Sequence, residues 1–92
     1  MKNILGIDVA KAKLDIALLR PDGKTRSKVI DNTPEGFAVL SAWLQKQGVT
    51  ELHACMEATG IYWEAVAEYL VEAGCRVSVV NPAQIKAFGT AQ

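Results

Sequence analysis

Two carboxylates stand where a folding chain would ordinarily avoid them. Asp8 interrupts the apolar run "GIDVA", and Glu57 closes "LHACM" just before the Ala-Thr-Gly of "ACMEATGIYWE". Each lies at the carboxyl end of a stretch that reads as a buried strand. A lone buried carboxylate costs several kcal/mol, and two brought together repel. A hard divalent cation removes both problems, because Mg²⁺ takes oxygen ligands, usually one or two carboxylates plus water and substrate phosphate. Two such ions about 4 Å apart stabilise the attacking and leaving oxygens of phosphodiester cleavage. The expectation is that Asp8 and Glu57 share one cation, Mg²⁺ or Mn²⁺, with carboxyl groups within about 4–7 Å.

Simpler roles exist for every residue near this pair. Glu57 reads equally as a helix-start acid near the dipole of a helix over 59–74, and Asp8 as a cap for the turn into "KAK". Asp15 is expected to face solvent or to pair with Lys11 or Lys13. Those lysines follow Asp8 closely and are candidates for a nucleic-acid phosphate; otherwise they decorate a solvated turn. His53 has no Cys or His partner at metal spacing and reads as structural. Tyr62, Trp63 and Tyr69 recur at helical spacing, which favours core or interface over base stacking.

The elements that must position the acids are legible from patterning. "NILGIDVA" (3–10), apolar on both faces except at Asp8, predicts a central strand covered on both sides. "KLDIALLR" (13–20) predicts a second strand. The Pro, Asp and Gly of "PDGK" (21–24) predict a turn, and the polar alternation of 24–31 an edge strand. Links this short favour antiparallel hairpins. In 32–48, Thr33, Pro34 and Glu35 signal a helix start, Phe37, Leu40 and Leu44 form an apolar stripe widened by Val39 and Trp43, and Gly48 is a stop. A buried strand at 52–56, a helix over 59–74 with Tyr62, Val66, Tyr69 and Leu70 on one face, and a strand at 75–80 follow. Asn81-Pro82 opens a third helix. Three hairpin-linked strands followed by right-handed crossovers make a mixed five-stranded α/β sheet with helices on its faces, in the element order of the ribonuclease H-like fold. Asp8 and Glu57 then leave neighbouring parallel strands at one carboxyl edge, where open α/β sheets bind ligands.

Composition bounds the class. The chain has 92 residues, half of them hydrophobic and 22% charged, which fits one small globular domain over 1–92. Ten basic residues cancel ten acidic ones, so net charge does not point to nucleic acid. Cys55 and Cys75 lie in apolar runs and read as buried reduced thiols of a cytoplasmic protein rather than a disulfide. No signal peptide and no membrane span is legible. The last helix pattern runs to Gln92 without a stop signal, so the chain reads as a C-terminally truncated piece of something longer.

"GIDVAKAKLDIAL", "MEATGIYWEAVAEYL" and "VSVVNPAQIKAFG" together resemble the N-terminal catalytic domain of the DEDD transposases of insertion-sequence family 110. The most specific pieces are Asp8 with its following Ala-Lys, and Glu57-Ala-Thr-Gly-x-Tyr. The resemblance implies a fold like the Holliday-junction resolvase RuvC and an acidic tetrad of Asp, Glu, Asp and Asp. Asp8 matches the first acid and Glu57 the second. The remaining two fall beyond the Asn-Pro segment, so this chain is expected to hold half an active site, to bind Mg²⁺ weakly and to be inactive alone. The resemblance further implies a full-length enzyme with DNA as its partner, a nucleophilic serine in a C-terminal domain, a structured guide RNA encoded by the element, and work at the bacterial nucleoid during transposition.

Two alternatives belong to other classes. A sugar-kinase or actin-like ATPase lobe also opens with a Gly-Ile-Asp strand and a hairpin, but "DVAKAKLD" lacks the Gly, Ser or Thr that cradle phosphate. A non-catalytic module that associates through the edge strand 24–31 or the apolar C-terminal segment near Ile85 and Phe88 is the other. A homo-oligomer is expected on the same grounds.

Overall fold

The structure is a computed structural model that describes residues 3–58 and 60–80. Seven elements follow in order: β1 (Asn3–Val9), β2 (Lys13–Leu19), β3 (Thr25–Asp31), α1 (Pro34–Lys46), β4 (Leu52–Glu57), α2 (Glu64–Glu72) and β5 (Arg76–Val80). They build a five-stranded sheet in the order β3-β2-β1-β4-β5. β1, β2 and β3 form an antiparallel meander, as their short links require, while β4 and β5 add in parallel through helical crossovers. The mixed sheet and the edge position of β3 match the expectation from patterning, and β1 lies at the centre.

Both crossovers, β3-α1-β4 and β4-α2-β5, move across the sheet in the same direction. Right-handed connections moving one way deposit their helices on the same face. The two described helices accordingly share one layer. Phe37, Leu40 and Leu44 of α1 and Val66 and Leu70 of α2 pack with Leu5, Ile7, Leu14, Ile16 and Met56 of the sheet in one core. The Phe37 and Tyr69 rings meet at 5.3 Å between centroids, and the Ser41 and Tyr69 hydroxyls are 2.7 Å apart, joining the helices. Among the described residues the opposite face is open, and it carries exposed Ile4, Leu19 and Val29. β1 is thus covered there on one side, where its doubly apolar sequence predicted two. The expected helix at Asn81-Pro82 lies outside the described residues, as do Ile85 and Phe88.

Helix α1 begins as its sequence dictates. Thr33 is the N-cap, its side-chain oxygen accepting from the Gly36 N–H at 3.1 Å, with Pro34 in the first turn. Thr33→Ala should lower unfolding free energy by about 1 kcal/mol, read as a lower urea midpoint with unchanged slope. The stripe is narrower than predicted: Val39 is exposed and Trp43 half-buried. Helix α2 begins later than the pattern implied. Residues 60–63 form a turn, with Gly60 at φ 64°, a left-handed conformation that a continuing α-helix cannot contain. Tyr62 therefore leaves the predicted helical face and is exposed, whereas Val66 and Leu70 are buried. The Trp63 indole N–H donates to the Gly60 carbonyl at 3.0 Å and closes that turn.

Candidate active site

Asp8 is the penultimate residue of β1 and Glu57 the last of β4. The strands pair in parallel with Ile7 level with Met56, so the next step of the ladder brings Asp8 and Glu57 level. Side chains alternate along a strand. Ile7 and Met56 enter the core; Asp8 and Glu57 leave on the open face and are exposed. Both line one shallow concavity of about 830 Å³ on that face. The helix-dipole explanation of Glu57 fails on position, because the first-turn acid of α2 is Glu64 and Glu57 belongs to the preceding strand.

A third carboxylate joins them. Asp15 is the cross-strand partner of Asp8 in the β1–β2 hairpin, is exposed, and lines the same concavity. Of the two expectations for Asp15, exposure to solvent holds and pairing with Lys13 does not: Lys13 instead pairs with Asp31, its cross-strand partner on β3. The hairpin explains why. The Ala10 N–H donates to the Lys13 carbonyl at 3.0 Å, closing a tight turn around Lys11 and Ala12. In an antiparallel ladder each step back from the turn pairs one earlier residue with one later residue, so Ala10 opposite Lys13 leads to Asp8 opposite Asp15. The turn length in "VAKAKL" thus held the signal that places Asp15 across from Asp8. Lys11 is exposed at the tip of this turn.

His53 Nε2 lies 2.6 Å from the Ser78 hydroxyl, across the β4–β5 pair. Cys55 and Cys75 are free and half-buried, and burial pushes the Cys75 thiol above its ordinary value, leaving it little thiolate with which to react. The Ala58 N–H donates to the Val80 carbonyl at 2.8 Å and pins the end of β4 to β5.

The donor chemistry at the carboxyl edge suits a hard cation: Asp8 and Glu57 offer exposed carboxylate oxygens, while the Cys55 thiol that also lines the concavity is half-buried. Among the described residues no three His, Cys, Asp or Glu side chains are gathered into a group ready to hold a metal. The residues present fit the type of ion but supply part of a ligand set.

Comparison with known proteins agrees with this arrangement. Residues 5–92 match the DEDD transposases of insertion-sequence family 110, a family described as transposases. The pilin gene-inverting protein of Moraxella lacunata is 34% identical over 89 residues, an alignment spanning 95% of this chain and 27% of that protein. The chain therefore spans about a quarter of the length of that relative. Two solved structures of RuvC from Thermus thermophilus share the fold. One, in complex with a Holliday junction substrate, superposes with a TM-score of 0.61 at 18% identity, over 95% of this chain and 69% of that one. The other has a TM-score of 0.59 at 20% identity, over 91% and 66%. The fold is thus the ribonuclease H-like one, and the chain belongs to the DEDD transposases of insertion-sequence family 110.

Proposed function

We propose that residues 1–92 form the N-terminal part of the catalytic domain of a DNA transposase, which cleaves and rejoins phosphodiester bonds when an insertion sequence moves. One observation carries the reading: Asp8 and Glu57 leave adjacent parallel strands side by side at the carboxyl edge, on the open face, in a chain of this family. The family match supports this over an ATPase lobe. It also supports assigning Asp8 and Glu57 as the first two acids of the tetrad.

In this reading Asp8 and Glu57 hold Mg²⁺ or Mn²⁺ together with acids supplied by later parts of the protein. The ion supplies charge neutralisation at the reacting phosphate. Asp8, anchored in the central strand, provides the fixed ligand. Glu57 is a second ligand or orients the attacking group. Lys11, at the exposed turn beside Asp8, meets a flanking phosphate. Lys13 joins it at little cost, since an exposed pair such as Lys13–Asp31 is worth roughly 0–1 kcal/mol and yields readily to a phosphate. A guide RNA and a second copy of the protein engage other surfaces, the second copy through the unpaired backbone edge of β3. Among the described residues no helix is long and apolar enough to cross a membrane. Free thiols at Cys55 and Cys75 fit the reducing cytoplasm where the nucleoid lies.

The test uses a protein of full family length and a supercoiled plasmid carrying the element's ends. Cleavage should require Mg²⁺ or Mn²⁺ and stop in EDTA. The 92-residue chain alone should cut under none of these conditions, because it carries two of the tetrad's acids. Cleavage that persists at full rate in EDTA would overturn the metal-dependent reading.

A further inference from the structure

A site built from two strand ends needs something to hold those ends in register. The β1–β4 ladder pairs residues only as far as Ile7 with Met56, one step short of the acids. Each acid then runs toward a turn: Asp8 into the Ala10–Lys13 turn, and Glu57 into the turn at 60–63. Asn32, between β3 and α1, touches both. Its side-chain Nδ2 donates to the Ala10 carbonyl at 3.0 Å and to the Tyr62 carbonyl at 3.0 Å. Its backbone N–H donates to the Ala12 carbonyl at 2.9 Å. The two hydrogens of one amide group thus serve two turns that are far apart in sequence. The reverse amide orientation would set Oδ1 against both carbonyl oxygens, so the acceptors themselves decide which way the group faces. Ala58, by contrast, is tied outward to β5 and does not link the acids' strands.

We propose that Asn32 is a positioning residue of the active site, a clamp that fixes the Asp8 strand end against the turn leaving Glu57. The proposal rests on the reading of Asp8 and Glu57 as cation ligands. Mg²⁺ demands near-octahedral geometry at short distances, so freedom at either strand end is felt directly as lost affinity. Groups that orient metal ligands typically change affinity or activity by about 10–100-fold when removed. Asn32 touches neither ion nor DNA in this account; it acts through the backbone that carries the ligands.

The experiment compares Asn32→Ala, Asn32→Ser, Thr33→Ala and Asp8→Asn in the full-length protein, well below each variant's melting temperature. Mn²⁺ binding is measured by electron paramagnetic resonance titration, and DNA cleavage by kcat and KM. Asn32→Ala should weaken Mn²⁺ binding by about 10–100-fold and lower kcat over the same range, with KM for DNA unchanged. Asn32→Ser, with one hydroxyl hydrogen for two acceptors, should fall between, and it stands in if the alanine variant does not fold. Thr33→Ala loses a bond in the same link but touches neither turn, so it should bind Mn²⁺ and cleave normally. Normal Mn²⁺ affinity and kcat in the Asn32 variants overturn the clamp, as does an equal loss in Thr33→Ala. Asp8→Asn separates the two layers. If it is inactive while the Asn32 variants are normal, the clamp alone fails. If it cleaves normally, the reading of the site fails first.

Discussion

In a protein of full family length, Asp8→Asn or Glu57→Gln should abolish measurable strand exchange, with DNA cleavage down by about 10²–10³-fold or more. Each substitution keeps the side chain's size and removes the charge that, in the proposed function, binds the cation. The loss should appear in kcat with the fold intact. The reason is positional: both residues are exposed at strand ends and neither contributes to the core. Asp8 also faces Asp15 directly across the β1–β2 pair, and like charges directly opposite one another destabilise a sheet. Removing the Asp8 charge should therefore leave the apo domain's melting temperature unchanged or slightly raised. The paired assays distinguish roles cleanly. A Glu57→Gln protein that recombines at the normal rate would sink the assignment, and a large fall in melting temperature would show Glu57 to be structural.

Gly36→Ala should have the largest effect on stability. Alanine usually improves a helix by up to about 1 kcal/mol over glycine. Here the sign reverses. Gly36 is buried in the first turn of α1 against the end of β3, and a Cβ on it would lie 1.8 Å from the Asp31 carbonyl oxygen and 2.7 Å from the Asp31 carbonyl carbon. These are backbone atoms and cannot rotate aside. The helix must shift away from the strand, at a cost on the order of 2–3 kcal/mol for overpacking. For a domain of this size that corresponds to a fall of about 10–20 °C in melting temperature. Thermal unfolding followed by circular dichroism measures it, and an unchanged or higher melting temperature would refute the close approach. The shift would also move Asn32, which immediately follows Asp31, so full-length Gly36→Ala should lose Mn²⁺ affinity along with stability.

Much of this protein was determined locally and could be read from the chain. Turn chemistry at 21–24, the Thr33-Pro34 helix start and the apolar spacing of Phe37, Leu40 and Leu44 each depend on neighbours within a few residues. Strand order followed because short links force hairpins and helical links force parallel crossovers. The positions of Asp8 and Glu57 at strand ends were legible for the same reason, and their match to the family motif gave them a chemical meaning. Three features were not legible. Gly60 takes a left-handed conformation that delays α2 and turns Tyr62 outward, since a helical repeat in sequence does not reveal where the backbone first becomes helical. The placement of both helices on one face depends on the shared direction of two crossovers, a property of the whole sheet. Asn32 gained its partners, the Ala10 and Tyr62 carbonyls, from chain segments brought together by that sheet. Hydrophobic periodicity reports which face of an element is buried. It carries no record of which polar groups meet on the exposed side, because those contacts are set by register and by loops distant in sequence.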